Sequence, residues 1–477
     1  MCDSLSVVFD ARELGDGGDD GEESRVLRGS APAKKGQRVL ERMCLRTAAS
    51  QRELSDTRAE EVGFARFFRN PNVSVEEILA SAAERSAQAA AGREVLLIED
   101  SSEINYQSKV GRKRDLGTVG NGTDAGLFVH PALAIDAADG AVLGLAGATI
   151  WQRRAAKRAD YQKQPIETKE SYRWLETVAV ARARLKQAVQ VTVIADREAD
   201  IYEMFARVPD ERTHVLIRAR HDRALSTEAG ERGGRLFAML SAQPEAGRDV
   251  IALPARPGRP ARQVRLAVRF MATRLRQPAV GADRRDPRFV SINVVEVCEI
   301  DPPPGAEAVH WRLLTTHPVV TLAAALRIVA LYRRRWTIEQ LFRTLKSQAI
   351  DIEASFVEDA AALERLAAVA MVAATMVMQL VHARDDAGRA LPATRAFSSD
   401  QIATLQALTP RLEGRTAKQK NPHPRDSLAW AAWHIARLGG WKGYASERPP
   451  GPITFSRGLE RFEAIAEGFA IARSTFR

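Results

Sequence analysis

Cysteine is scarce in this chain: Cys2, Cys44 and Cys298 are the only three in 477 residues. No two have C-x-x-C spacing, which excludes a structural zinc motif and a disulfide framework and fits a reducing cytoplasm. Long hydrophobic runs are lacking as well. The most apolar stretch, Leu366 to Val381, falls short of the roughly 20 residues that span a bilayer and contains Thr375 and Gln379. It is expected to be a buried helix, with no membrane as partner. Met1 to Asp10 has neither a basic n-region nor a long apolar h-region, so no signal peptide is expected. There is no internal repeat. Acidic excess is absent too: the net charge is +10 and the pI about 9.7, which suits an acidic polymer as partner. With 45% hydrophobic and 27% charged residues the chain is of ordinary globular composition, and its length allows two or three domains.

What is present is concentrated in Tyr332-Arg-Arg-Arg-Trp-Thr-Ile-Glu339-Gln-Leu-Phe-Arg-Thr-Leu-Lys346. Taken as one helix, at 100° per residue, Arg335, Glu339 and Lys346 fall about 60°, 20° and 40° behind Tyr332. One carboxylate, two cations and a phenol then share a stripe beside the apolar Ile338, Leu341, Phe342 and Leu345. Such a stripe suits a metal ion and a phosphate backbone held side by side.

Two more carboxylates end strand-like runs, in Glu94-Val-Leu-Leu-Ile-Glu-Asp100 and Val191-Thr-Val-Ile-Ala-Asp196-Arg-Glu-Ala-Asp200. Functional groups of open α/β sheets sit just past the C-terminal ends of strands. Asp100, Asp196 and Glu339 would make an all-oxygen site of the kind that takes Mg²⁺ or Mn²⁺. Asp200 is expected to lie on a following helix behind Asp196, and His130, with no ligand-like spacing, to be structural.

Residues 1 to about 30 are acidic and Gly-rich, and a basic stretch from Lys34 through Arg46 follows. Ser74 is expected to cap a helix with Glu76 and Glu77 in its first turn. From about 93 the pattern is α/β, with strands at 94–99, 127–136, 141–150 and 190–195 and a helix at 168–186. Short strands dominate from about 213 to 320, including 213–217, 263–269, 289–297 and 311–315. Thr321 caps a helix entering the Tyr332 segment, and beyond 358 the pattern is helical: 359–384, 399–407, 425–437 and 456–471. The gap of 143 residues between Asp196 and Glu339 is too long for one helix–strand step, so a β-rich insertion must lie between them.

These residues, in this order, resemble the cut-and-paste DDE transposases of bacterial insertion sequences, in particular the IS-four family. Leu97-Ile-Glu-Asp100 is similar to the family's first catalytic segment and Val193-Ile-Ala-Asp196-Arg-Glu-Ala-Asp200 to its second. Tyr332, Arg335, Glu339 and Lys346, with Trp336 in register, match its Tyr-x2-Arg-x3-Glu-x6-Lys signature. Further matches are Arg66 and Arg69 in Arg66-Phe-Phe-Arg-Asn-Pro-Asn72, Arg218 and Arg220, Arg259 and Arg262, and Ala432-Trp-His-Ile-Ala-Arg-Leu-Gly-Gly440.

The resemblance implies an α/β fold: an RNase H-like catalytic core, about 91–358, with a β-rich insertion at about 213–320. A DNA-end-binding helical domain (1–90) would precede it and a helical dimerisation domain (359–477) follow. It implies two Mg²⁺ ions (or Mn²⁺) on Asp100, Asp196 and Glu339, and nicking, hairpin formation and strand transfer on double-stranded DNA. The ends would be terminal inverted repeats, gripped by a homodimer in a bacterial cytoplasm. Arg335 and Lys346 would hold phosphates, and Tyr332 would donate to a phosphate oxygen. Trp311 would stack on a flipped base. Arg66, Arg69, Arg218, Arg220, Arg259 and Arg262 would contact DNA, with Arg218 and Arg220 on one face of a strand.

The match lapses between about 15 and 60, where an arginine-rich helix is replaced by Gly-Gly-Asp-Asp-Gly-Glu-Glu and then Ser-Arg-Val-Leu-Arg-Gly-Ser-Ala-Pro. Positions 1–25 carry eight acidic residues against Arg12 and Arg25, which would repel DNA. Gly122-Thr-Asp-Ala-Gly126 also departs from the family's basic residues. The alternative reading is a DNA-binding or dimerising remnant, or an inhibitor of a related transposase, without activity of its own.

Overall fold

A computed structural model describes residues 31–153, 161–253, 260–384, 391–444 and 446–475. The acidic segment at 1–25 and Arg259 lie outside the described residues. Strands in chain order are β1 Glu94–Glu99, β2 Ser102–Asn105, β3 Gly117–Val119, β4 Asp124–Asp136, β5 Val142–Trp151, β6 Gln190–Ala195 and β7 Thr213–Arg218. They continue with β8 Ala224–Ser226, β9 Arg232–Arg235, β10 Gly247–Leu253, β11 Arg262–Arg276, β12 Phe289–Glu299 and β13 His310–Thr315. Contacts gather the chain into two compact units: residues 1–90, 101–155 and 338–477, and residues 91–100 with 156–337.

The second unit carries the site. Its heart is the parallel set β1–β6–β7. Val95–Ile98 of β1 and Val191–Ala195 of β6 are buried without interruption, as strands covered on both faces require. The helix Arg173–Arg184, with Trp174, Leu175, Val178 and Ala181 buried, leads into β6, and the short helix Tyr202–Arg207 leads to β7. The helix expected from 168 begins only at Arg173, after single 3₁₀ turns at Ile166–Thr168 and Glu170–Tyr172. Beyond β7 the sheet turns antiparallel through β13, β12 and β11. The long β11 pairs along its start with β10 and near its end with β8, which pairs with β9. This mixed α/β arrangement around a large, mostly open sheet is consistent with an RNase H-like core.

The first unit contains the β4–β5 hairpin with β2 and β3 on β4. It also holds helices from both ends of the described chain. Ser74 caps Val75–Ala90 through its hydroxyl on the Glu77 N–H, as expected. Helix Ala31–Arg46 is tied to Pro452–Thr475 by Arg46 on Glu463 at 2.8 Å, Arg42 on Glu467 at 2.9 Å, and a short Arg42–Glu463 ion pair. At the centre runs Ala360–Ala383, whose Gln379 donates to the Leu143 carbonyl at 3.0 Å. That helix, expected at 359–384, has 24 residues and is long and apolar enough to cross a membrane, beyond what the stretch Leu366 to Val381 alone suggested. In this unit 94% of its most apolar window is buried.

Candidate active site

Sheet geometry brings the two aspartates together. Ile98 lies opposite Ile194 in the parallel β1–β6 pair, so the same register, two steps on, sets Asp100 beside Asp196 past both strand ends. Neighbouring strands lie about 4.8 Å apart, and two like charges therefore share one edge. Oδ1 of Asp196 accepts the Glu198 N–H at 2.8 Å and caps the turn Arg197–Ala199. No described residue donates to its Oδ2. Asp100 accepts through Oδ2 from the Arg335 guanidinium at 2.9 Å, in an ion pair with both side chains mostly buried.

The continuous stripe expected from Tyr332 to Lys346 is not what forms. One helix ends at Arg333 and the next runs Trp336–Arg343, followed by a π-helical turn Thr344–Gln348. Between the helices the amides of Arg334, Arg335 and Thr337 bond three residues back. Tyr332 is only 5% exposed, so it is not a surface-facing tyrosine. An unbroken helix would carry Glu339 onto the same buried side. The turn changes the phase, so Ile338 and Leu341 are buried while Glu339 stays half-exposed, one turn beyond Arg335. Lys346, in the π-helical turn, faces Glu353 at 3.5 Å within the first unit. Such π turns recur at functional sites.

Arg335, the partner of Asp100, lines a cleft of about 410 Å³ together with Arg218, Trp311, Tyr332, Arg333, Trp336 and Glu307. Trp311 is half-exposed and meets Tyr332 edge-on, with ring centres 5.7 Å apart. Burial pushes the Tyr332 phenol up to about 12, against the pull of Arg335 and Arg218. Arg218 donates to the His310 carbonyl at 3.1 Å, and burial lowers its pKa. The cleft thus gathers aromatic rings and arginines, and its Arg335 is the residue that reaches Asp100.

Other expected contacts are dispersed. Arg66 and Arg69 are exposed on the helix Arg58–Arg69. β7 ends at Arg218, so Arg220 does not share its strand; it lies exposed in the following turn. Arg262 opens β11 with its guanidinium on the buried Glu299 carboxylate, 3.0 Å for one of two contacts. In the basic stretch 34–46, Arg38, Arg42 and Arg46 are all paired with carboxylates of the first unit. His130 is buried, with Nδ1 2.9 Å from the Ser101 hydroxyl.

Asp200 corrects another expectation. It does not follow Asp196 on a helix but lies 2% exposed beyond a single 3₁₀ turn. It accepts from the amides of Arg220 at 2.7 Å and His221 at 2.9 Å, and from Arg223 Nε at 2.7 Å. It therefore fixes the chain leaving β7 to the chain leaving β6. Sequence reasoning missed this bracket, and it missed Glu99, a fully buried carboxylate whose pKa burial drives well above the usual range. Arg333 was also missed as a cleft residue; the run of three arginines was its only signal.

One comparison bears on this geometry. Residues 170–376 match the family model described as the transposase DDE domain. The matched span includes Asp196, Trp311, Tyr332, Arg335, Glu339 and Lys346, and its match supports a DDE transposase, a nuclease and polynucleotidyl transferase.

Proposed function

We propose that this chain is a cut-and-paste DNA transposase of the IS-four type, with Asp100, Asp196 and Glu339 as its catalytic carboxylates. The observation that carries the reading is the placement of Asp100 and Asp196 in one row at the ends of parallel strands, beside a cleft of arginines and aromatics. Glu339 is assigned from the signature it shares with Arg335, whose guanidinium reaches Asp100. A carboxylate donor set suits hard divalent ions, and Asp196 keeps an oxygen with no described donor. Two Mg²⁺ ions, or Mn²⁺, would supply charge neutralisation and a more acidic attacking hydroxyl.

The residues divide the remaining work. Arg335 and Lys346 grip phosphate oxygens, and the neutral Tyr332 hydroxyl donates to one. Trp311 offers an indole face to a base leaving the stack, a contact worth about 1–3 kcal/mol. Each step is an in-line displacement at phosphorus. Water cuts one strand and frees a 3′-hydroxyl, which attacks the opposite strand to close a hairpin. Water reopens the hairpin, and the same 3′-hydroxyl then attacks target DNA. One P–O bond forms as another breaks in every case. A homodimer on paired inverted repeats in a bacterial cytoplasm completes the reading.

The eight acidic residues at 1–25 favour a second reading, a remnant that fails to recognise the ends. Strand cleavage of DNA carrying the flanking inverted repeats, with Mg²⁺ or Mn²⁺, tests the first. Asp196→Ala and Glu339→Ala should each abolish cleavage and keep DNA binding; near-normal nicking by either overturns the carboxylate assignment. A parent chain that binds DNA but leaves its own ends uncut supports the remnant.

A further inference from the structure

A second cation-lined hollow lies in the same unit, made from the β8–β9–β11 corner, and neither Asp100 nor Asp196 lines it. It encloses about 480 Å³ and is lined by Lys169, Arg223, Arg232, Arg235 and Arg276, with Asp200 and Glu203 as its acidic members. The sheet register explains the clustering. Ala224 pairs with Arg235 and Ser226 with Arg232, while Leu225 pairs with Leu275. Arg276 therefore comes beside Ala224, and Arg235, Ala224 and Arg276 share one face, opposite the buried Leu225 and Leu275. Alanine between two arginines leaves the hollow open.

The pairing of these charges differs from elsewhere in the unit. Arg223 is held by Asp200 at 2.6 Å, and Arg207 and Arg285 also face carboxylates, Arg207 with Asp283 and Asp286 and Arg285 with Asp283. Arg232, Arg235 and Arg276 are exposed, and none forms an ion pair among the described residues. Arg276 makes only a long 3.4 Å bond to the Gly230 carbonyl. Three neighbouring guanidiniums that form no ion pair repel one another, and an anion with several oxygens relieves that repulsion through bidentate bonds.

We infer that this corner is a binding site for the phosphodiester backbone of duplex DNA, outside the reacting strand, with Arg232, Arg235 and Arg276 as its phosphate contacts. The hollow is larger than one phosphate requires and is open along a strand edge, which suits a stretch of backbone. The inference rests on the DNA-processing reading above. It concerns positioning of the duplex and not the chemistry.

The test is binding of a short duplex of arbitrary sequence to the full chain in EDTA, titrated over salt concentration. Each lost phosphate contact lowers the slope of log K against log salt by about 0.9. Changing Arg232, Arg235 and Arg276 to Ala together should lower the slope by about 2 to 3, while the lysine versions retain most of it. The control removes the same net charge at Arg114, Arg248 and Arg265, which already face carboxylates, and should leave the slope nearly unchanged. An unchanged slope in the first triple variant, or an equal loss in the control, overturns the site. Loss of tripolyphosphate binding with duplex binding intact makes it a free-anion site and overturns it too. A parent chain that binds no duplex overturns the transposase reading as well, whereas cleavage with an unchanged variant slope overturns this inference alone.

Discussion

At the ends of β1 and β6, Asp100 and Asp196 stand side by side, half-buried; on β12, Glu296 is 2% exposed and faces two guanidiniums and an imidazole. Glu296 accepts from His310 and from Arg312 at 2.9 Å each, with Arg269 at 3.7 Å. With Cys298 and His310 it also forms a group whose donor atoms lie within 4.8 Å of one another. By donor spacing alone this trio suits a metal ion. Two guanidiniums already neutralise the carboxylate, however, and burial, followed by the Glu296 charge, pushes the Cys298 thiol up, away from its thiolate form. At the strand ends the supply is smaller: Asp100 takes the Arg335 guanidinium at 2.9 Å, while an Asp196 oxygen has no described donor. A carboxylate supplied with fixed cations braces a sheet. For one held beside another carboxylate, the divalent ion proposed above would be the missing counter-charge.

The largest expected effects separate these two roles. Asp196→Asn should bring cleavage below about a thousandth of the parent rate and change stability by less than about 0.5 kcal/mol. Glu296→Ala should do the opposite. Removing the carboxylate strands Arg269 and Arg312 in a mostly buried setting, for about 3 kcal/mol, while cleavage well below the melting temperature persists. Chemical denaturation and a nicking assay on the same samples decide both. A cleavage-dead but fully stable Glu296 variant would break the comparison.

How far the sequence disclosed these roles depended on the physical signal. The buried parallel strands were legible because a run such as Val95-Leu-Leu-Ile98 has few other uses, and β1 and β6 begin and end as expected. Caps at Ser74 and Thr321 were legible because their chemistry is local. The break between Arg333 and Trp336 was not, since apolar periodicity runs through it and only tertiary burial of Tyr332 demands a change of phase. Asp200 was misplaced because its partners, Arg220, His221 and Arg223, lie some twenty residues on and meet it only after β7 pairs with β6. The pairing of Arg262 with Glu299 was hidden for the same reason.

Acidification offers an effect that is smaller over any one pH unit and must be separated from catalysis. His317 stacks on His214 with ring centres 3.9 Å apart, and its Nε2 lies 2.8 Å from the Thr192 hydroxyl of β6. Burial, then the His214 and Arg327 charges, lower its pKa from 6.5 to about 3. The unfolded chain therefore binds this proton more readily than the folded one between those values. The stabilising contribution is complete above pH 6.5 and is lost as pH falls toward 3, at up to about 1.4 kcal/mol per pH unit. His317→Gln should flatten that part of the stability curve. A parallel decline in parent and variant assigns the acid sensitivity to other groups.

The smallest effect is the most direct comparison of the two clusters. A ligand that binds only the folded chain stabilises it by RT ln(1 + [L]/Kd), about 2.7 kcal/mol at one hundred times Kd. If the strand-end row takes a divalent ion, Mg²⁺ or Mn²⁺ should raise the melting temperature by a few degrees and EDTA should reverse it. Asp196→Asn removes a carboxylate from the row and should lose that shift. Cys298→Ser leaves the row intact and should keep it. The reverse pattern, a shift that survives Asp196→Asn and disappears in Cys298→Ser, would place the ion among Glu296, Cys298 and His310. It would also show that neutralisation by Arg269 and Arg312 is no barrier to metal binding there, and the contrast between braced and open carboxylates would fail.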